Sequence, residues 1–217
     1  MPQVVRPYRG VSAEERRAQR RVRLMEAGLA VIGEHGINGL TMTAVIREAG
    51  LTERYFYESF ADRAALLVDM FQAAVEATNL AAGAARDQAG DDLFARCRAT
   101  VAGALSVMTD DPRVGRAFLE AVGNATLRPY LREALRGFAA VMATELGQGR
   151  ERSAQDRARL DVAATALVGG ITDVAAAWLD GRLTLSRDEL TDECAHLCVA
   201  AVASVDARSG AGRTEPR

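Results

Sequence analysis

Apolar residues recur at three- and four-residue steps along most of this 217-residue chain, as they do in helices that bury one face. No alternating strand pattern of useful length appears, and the apolar residues are largely Ala, Val and Leu. The pattern therefore predicts an all-α protein of about nine helices. The first helix is predicted to begin at Ser12, where Glu15 completes a capping box. Its predicted core stripe consists of Val22, Met25, Leu29 and Ile32.

Residues 41–60 (TMTAVIREAGLTERYFYESF) predict two short helices joined by a tight turn. Thr41 is placed to cap the first helix, and Gly50 supplies the unhindered backbone that ends it. Thr52 is placed to cap the second helix, in which Phe56 and Phe60 stand four residues apart and share an inward face. This is the helix-turn-helix layout, in which the second helix enters the major groove of DNA.

The side chains that point away from this inward face are predicted to contact DNA. Arg54 is the candidate for a bidentate contact with guanine O6 and N7, and a phosphate contact is its alternative. Hydroxyl groups and helix N-termini favour phosphate, so that role is assigned to Thr41, Thr43, Thr52, Tyr57 and Arg63. Tyr55 is assigned to stacking or to a thymine methyl group. Glu53 or Glu58 is assigned to accepting from cytosine, with repulsion of a wrong strand as the alternative.

These residues resemble the TetR-type one-component transcriptional regulators. The resemblance covers residues 12–70 and rests on EHGINGLT (34–41), AGLTERYFYESF (49–60), and Asp62-Arg63 followed by Leu66-Leu67. It implies a three-helix DNA-binding domain at residues 12–60 and a helical effector-binding and dimerisation domain at residues 61–206. It also implies a regulator, more often a repressor than an activator, that a small molecule releases from a pseudo-palindromic operator.

The last two predicted helices, at about 154–179 and 187–205, are apolar on more than one face. One protomer can cover only one such face, so a partner subunit is expected to cover the other. Gly169-Gly170 would weaken an isolated helix by roughly 1 kcal/mol each, and close approach of another helix is a reason for them. The pattern and the resemblance together predict a homodimer formed through these two helices.

The helices between residues 62 and 180 are expected to enclose an effector cavity. Its candidate lining residues are large and mostly apolar: Phe94, Met108, Phe118, Tyr130, Phe138, Met142 and Trp178. Plain core packing is the alternative for each of them. If they line a cavity, its apolar surface favours a hydrophobic effector.

Charge is distributed unevenly along the chain, whose formal net charge is −2. Residues 1–25 contain seven Arg and two Glu, a balance of +5, so the remaining chain carries −7. A basic patch of this kind favours nucleic acid as a partner. Residues 1–11 are predicted to be a disordered basic arm that contacts DNA, with a solvated tail as the alternative, and residues 207–217 a disordered tail.

The chain offers little for metal binding or catalysis. Cys194 and Cys198 share a helix face, but His196 lies about 200° from Cys194 and cannot join them, so buried reduced thiols are favoured over a metal site. No nucleophile elbow or phosphate-binding loop appears, so no catalytic residue and no cofactor is assigned.

The N-terminus has no signal peptide, and no run of about 18 apolar residues predicts a membrane span, so we expect a cytoplasmic protein. Two other functions remain open, each with a DNA-binding head that no longer binds. They are a helical small-molecule carrier and a protein-interaction adaptor.

Overall fold

A computed structural model of the chain describes residues 12–149 and 151–211, and over those residues it contains nine α-helices and no strand. The all-α prediction is confirmed. The helices are α1 (Ala13–Gly39), α2 (Met42–Ala49), α3 (Glu53–Ser59), α4 (Arg63–Asp87), α5 (Leu93–Thr109), α6 (Pro112–Val122), α7 (Arg128–Leu146), α8 (Ala154–Leu179) and α9 (Arg187–Ala211).

Local capping explains where most of these helices begin. The Ser12 hydroxyl accepts from the Glu15 amide at 3.0 Å, and the Ser12 amide donates to the Glu15 carboxylate at 2.6 Å, which is the predicted capping box. Thr41 accepts from the amide of Ala44 at 3.1 Å. Thr52 stands at the N-cap of α3, but its side chain makes no capping hydrogen bond, so that predicted cap is wrong.

The first helix has the predicted form, and its predicted core stripe is correct in part. Ile32 is buried and Met25 packs against the core, but Val22 is 66% exposed, so its assignment to the core was wrong. The buried side also contains Leu24, Ala27 and Val31. Helices α2, α3 and α6 pack against α1, and their packing decides which of the helically spaced positions are buried.

The chain divides into two compact units, which differ from the predicted domains. The first unit contains the described residues up to Ala74 together with Asp111–Arg128. It is larger than the predicted DNA-binding domain of residues 12–60, because it includes the first part of α4 and all of α6. Its core centres on Leu24, Ile32, Leu40, Val45, Phe56, Phe60, Leu66 and Leu127.

The second unit contains Val75–Asp110 and the described residues from Pro129 onward. Helix α9 packs on both α5 and α8, and a buried cluster that includes Leu146, Leu160 and Ala164 lies among α5, α7, α8 and α9. Helix α9 continues to Ala211, so residues 207–211 are helical where a disordered tail was predicted. Residues 212–217 of that predicted tail lie outside the described residues.

The apolar surface of α8 is largely uncovered in the protomer. Val162 is 71% exposed, and a Cβ atom added at Gly169 or Gly170 would meet no atom within 4 Å. Among the described residues, α8 is the helix long and apolar enough to cross a membrane by length and composition. One such helix is weak evidence for a membrane span, and an uncovered apolar face is equally what a subunit interface requires.

Candidate nucleic-acid interface

The turn between α2 and α3 has the backbone that the sequence predicted. Gly50 adopts a left-handed conformation with φ of 58°, and the amide of Leu51 donates to the carbonyl of Ile46 at 3.2 Å. Phe56 of α3 is fully buried and Phe60, the extended residue that follows the helix, is 3% exposed; their ring centroids lie 5.9 Å apart. Because these two rings hold α3 against the core, the opposite side of the helix is left free.

Seven of the eight predicted DNA-binding residues are exposed, and six of those, all except Arg63, lie around this turn. They are Thr41, Thr43, Thr52, Glu53, Arg54 and Tyr57. The side chain of Arg54 is 84% exposed, although its Nε atom donates to Glu58 at 2.9 Å. Tyr57 is 55% exposed. A cation, phenol, carboxylate and three hydroxyl groups are therefore brought together beside one short helix.

Tyr55 differs from its neighbours because another side chain covers it. The guanidinium of Arg20 lies 4.5 Å from the centroid of the Tyr55 ring, and Tyr55 is half-buried. Arg20 also pairs with Glu58 at 3.3 Å. Sequence reasoning missed this contact, since residues 20 and 55 are distant along the chain and no spacing rule connects them.

Arg63, which was predicted to contact phosphate, is exposed, and its guanidinium also donates within the protein. It donates from Nε to the carbonyl of Leu40 and from Nη2 to the carbonyl of Ile37 at 2.6 Å. Both carbonyls lie at the C-terminal end of α1, and that of Ile37 also accepts from the amide of Leu40 at 3.2 Å. Arg63 therefore closes the end of α1, a role that side-chain sequence patterns do not reveal.

The basic residues of α1 also divide between structural and exposed positions. Arg21 donates to the carbonyl of Ser59 at 2.6 Å, lies 4.4 Å from the Phe60 ring centroid, and pairs with Asp69. Arg17 and Arg23 are exposed. Arg47 on α2 is exposed as well, and the prediction did not include it although its charge beside the turn was a signal. The predicted basic arm of residues 1–11 lies outside the described residues.

The seven predicted effector-lining residues do not form one described cavity. Phe118 belongs to the first unit, whereas the other six belong to the second. Phe94 and Met142 pack against one buried cluster of the second unit, and Trp178 packs against another. The Trp178 indole donates to the carbonyl of Leu185 at 2.7 Å, which links α8 to the turn before α9. Tyr130 is 38% exposed.

A groove of about 350 Å³ lies between α7 and α8 in the second unit. None of the seven predicted residues lines it. Its walls are small or aliphatic, with one cation, one carboxylate and one hydroxyl group: Leu135, Arg136, Ala139, Ala140, Asp161, Thr165 and Gly169. Sequence reasoning selected large apolar side chains, whereas the open space lies beside small ones because small side chains leave it unfilled.

The cysteines lie in the packed interior between α5 and α9. Cys97, Cys194 and Cys198 are buried free thiols, and burial raises the pKa of Cys194. His196 lies on the exposed side of α9, with its ring centroid 4.7 Å from that of Phe94. Within the described part of the chain, no group of three His, Cys, Asp or Glu side chains is arranged to hold a metal ion.

Comparison with known proteins agrees with this geometry. Residues 24–70, which include α2 and α3, match the family model for bacterial regulatory proteins of the tetR family. No curated protein matches the chain.

Several solved structures resemble most of the chain. A protein from Pseudomonas aeruginosa PAO1 assigned as a transcriptional regulator has a TM-score of 0.73 at 19% identity, covering 92% of this chain and 96% of that one. A tetR-family regulator from Streptomyces coelicolor gives 0.67 at 19%, with coverages of 88% and 83%. The regulator FadR from Bacillus subtilis, in complex with stearoyl-CoA, gives 0.68 at 16%, with coverages of 83% and 98%. Identities this low show the shared fold.

Proposed function

Because residues 24–70 belong to the tetR family of bacterial regulatory proteins and the whole chain has the fold of a TetR-type transcriptional regulator, we propose that this DNA-binding regulator is a ligand-responsive repressor. It acts as a homodimer on a pseudo-palindromic operator. The observation that carries this proposal is the free side of α3, where Arg54 is 84% exposed opposite the buried Phe56 and Phe60.

A two-fold dimer would present two copies of α3 to successive major grooves, roughly 34 Å apart. The two-fold symmetry of such a dimer requires a pseudo-palindromic site, because the two half-sites contact the same helix in opposite orientations. The uncovered apolar surface of α8 supports dimerisation through the last two helices. Gly170 supports it too, since it leaves room for another helix to approach closely.

The DNA claim is tested by recovering genomic fragments that bind the purified protein and footprinting them. The footprint is expected to cover two inverted half-sites with centres about one helical turn apart. Affinity is expected to fall steeply as salt rises, because phosphate contacts release counterions. Recovery of no fragment at low ionic strength would contradict the proposal and favour a carrier or an adaptor.

Arg54 is tested on the recovered operator with two variants. If Arg54 contacts guanine, Arg54→Ala and Arg54→Lys both lose discrimination at one base pair per half-site, by about 1 to 3 kcal/mol. Lys keeps the charge but cannot form the bidentate contact. If Arg54 contacts phosphate, Arg54→Lys retains affinity and Arg54→Ala weakens every sequence equally. Binding curves on the operator and on singly substituted duplexes separate the two outcomes.

Release by an effector is the second part of the proposal. The groove between α7 and α8 is mostly apolar, which supports a hydrophobic effector, and α4 is one continuous helix whose residues belong to both units. As α4 moves with the bound effector, the separation of the two α3 helices changes. By linkage, the effector must then bind the DNA-free protein more tightly than the DNA-bound protein.

This part is tested by screening hydrophobic compounds for those that raise the thermal midpoint, and then measuring operator affinity with each. A true effector lowers operator affinity, and Ala140→Trp, which fills the groove, abolishes both effects. Arg132→Trp, at an exposed position of α7 that does not line the groove, is the matched control. Compounds that stabilise the protein and leave operator affinity unchanged would contradict effector-linked release.

A further inference from the structure

Arg20 is the point at which α1 meets the exposed side of α3. Its guanidinium lies over the Tyr55 ring at 4.5 Å, and its Nη2 atom pairs with Oε2 of Glu58 at 3.3 Å. The side chain is only 22% exposed, and its Nε atom is buried without a hydrogen-bond partner. The charged end of Arg20 is therefore turned into the protein, towards an aromatic face and a carboxylate.

Glu58 connects Arg20 to Arg54. Its Oε2 atom accepts a hydrogen bond from Nη2 of Arg20, and its Oε1 atom accepts one from Nε of Arg54 at 2.9 Å. Glu58 is 27% exposed, whereas Arg54 is 84% exposed. One carboxylate thus holds two guanidinium groups that would otherwise repel each other. Glu58 contacts Arg54 through the Nε atom of the arginine.

The side chain of a free arginine samples many rotamers. Holding one in place before binding reduces the entropy lost when it docks on a base. The edge of Arg54 that would address guanine consists of its terminal nitrogens, and Glu58 occupies only Nε. The Arg20–Glu58 pair therefore holds Arg54 in place and leaves its terminal nitrogens available to a base.

We propose that Arg20 and Glu58 are positioning residues that orient Arg54 for base recognition, and that Arg20 is not a phosphate contact. The inference rests on the proposed function, since it presupposes that α3 reads DNA. It assigns to α1 a part in sequence specificity, whereas the basic composition of α1 by itself suggests only non-specific attraction. It also assigns to Glu58 a role other than contact with cytosine.

The two roles of Arg20 predict different salt dependences. Loss of a phosphate contact weakens all sequences alike and lowers the slope of log affinity against log salt by about one. Loss of a positioning residue leaves that slope unchanged and reduces discrimination between the operator and a duplex substituted at the base pair that Arg54 reads. A purely structural residue would change the thermal midpoint and leave both quantities alone.

The experiment measures dissociation constants over a series of potassium chloride concentrations for wild type, Arg20→Ala, Glu58→Gln and Arg17→Ala. Discrimination by Arg20→Ala and Glu58→Gln is expected to fall about tenfold, within the range of one bidentate base contact, with the salt slope unchanged. Glu58→Gln is nearly isosteric, so it retains the fold if Arg20→Ala proves unstable. Arg17→Ala, an exposed cation on the same helix, is the control that should retain discrimination.

A double variant completes the test. Because Glu58 acts through Arg54, adding Glu58→Gln to Arg54→Ala should change discrimination no further. Full discrimination by Glu58→Gln, or a salt slope that falls by about one in Arg20→Ala, would overturn the inference. If the wild-type protein binds no duplex in a salt-dependent way, the proposed function fails instead, and the two failures are thereby distinguished.

Discussion

At the residue scale, the arginines show how one side chain serves different purposes. Arg54 and Arg17 are exposed, whereas Arg63 and Arg21 donate to backbone carbonyls of the same unit. Composition alone does not separate these two roles. Their neighbours decide the role, because a guanidinium can satisfy a helix C-terminus as readily as a phosphate.

Replacing Arg63 with Ala is expected to destabilise the protein by about 1.5 to 3 kcal/mol, because two carbonyls at the end of α1 lose a charged donor. Urea unfolding followed by circular dichroism measures the change. Arg47→Ala, at an exposed position, is the matched control and should cost less than about 0.5 kcal/mol. Unchanged stability in Arg63→Ala, with a lower salt slope of DNA binding, would contradict this structural role and favour the predicted phosphate contact.

At the element scale, α6 is joined to α1 at a break in the helix. Gly36 has φ of 71°, and the amide of the next residue, Ile37, donates to the Glu120 carboxylate at 2.5 Å. Arg116 donates to the carbonyl of Gly33 at 2.9 Å. The EHGING segment predicted a turn here but gave no sign of its partner, since α6 lies about eighty residues further along the chain.

Gly36→Ala is expected to destabilise the first unit by about 1 to 3 kcal/mol, because a left-handed backbone strains an L-residue. The added Cβ would also lie 2.7 Å from a Glu120 oxygen. Gly123→Ala is the matched control: that glycine ends α6 with φ of −87° and open space around it. Thermal unfolding of both variants checks the prediction, which equal midpoints would contradict.

The N-terminus of α6 carries a pH-dependent contribution to stability. Hydrogen bonds from Arg113 hold the pKa of the Asp111 carboxyl below its usual range, and Asp111 also caps the helix. A lowered pKa in the folded state means that this contribution is present above the ordinary pKa of Asp. It is lost as pH falls through the folded-state value.

Asp111→Asn retains a capping oxygen but removes the charge. It is therefore expected to cost about 0.5 to 1 kcal/mol near neutral pH, a modest value because the carboxylate is about one-third exposed. The difference from wild type should shrink in strongly acidic buffer, where both carry a neutral group. Urea titrations at several pH values measure it, and a difference independent of pH would show that the ion pair contributes nothing.

At the scale of the whole molecule, the apolar side of the second unit is left exposed in the protomer. Val162 on α8 and Leu197 on α9 are 71% and 54% exposed. Such exposure on two long neighbouring helices is typical of a surface that another subunit covers. Dimerisation is therefore the property on which the proposed operator recognition by two copies of α3 depends.

Val162→Arg is expected to convert the dimer into a monomer at micromolar concentration, because a two-fold interface would bury two unpaired charges. Sedimentation velocity measures the change, and operator affinity should fall with it. Leu80→Arg on α4, where the native side chain is 67% exposed, is the matched control and should remain dimeric. A Val162→Arg protein that sediments as the wild type does would place the interface elsewhere.

The sequence by itself determined the helices, the helix-turn-helix and the resemblance of residues 12–70 to TetR-type regulators. Caps, turns and apolar steps act between residues a few positions apart, so Ser12 with Glu15, Gly50, and Phe56 with Phe60 could be assigned from spacing alone. There are two exceptions. Thr52 stands at the N-cap of α3 without a side-chain capping hydrogen bond, and Val22 has the spacing of the core stripe but is exposed.

Only the tertiary structure decided which residues share a surface. It joined Arg20 to Tyr55 and Glu58, turned Arg63 onto α1, and brought Glu120 to Ile37. These pairs are separated by about twenty to eighty residues, and no local rule relates residues so far apart. Their contacts follow from how whole helices pack, and packing depends on all the buried side chains together.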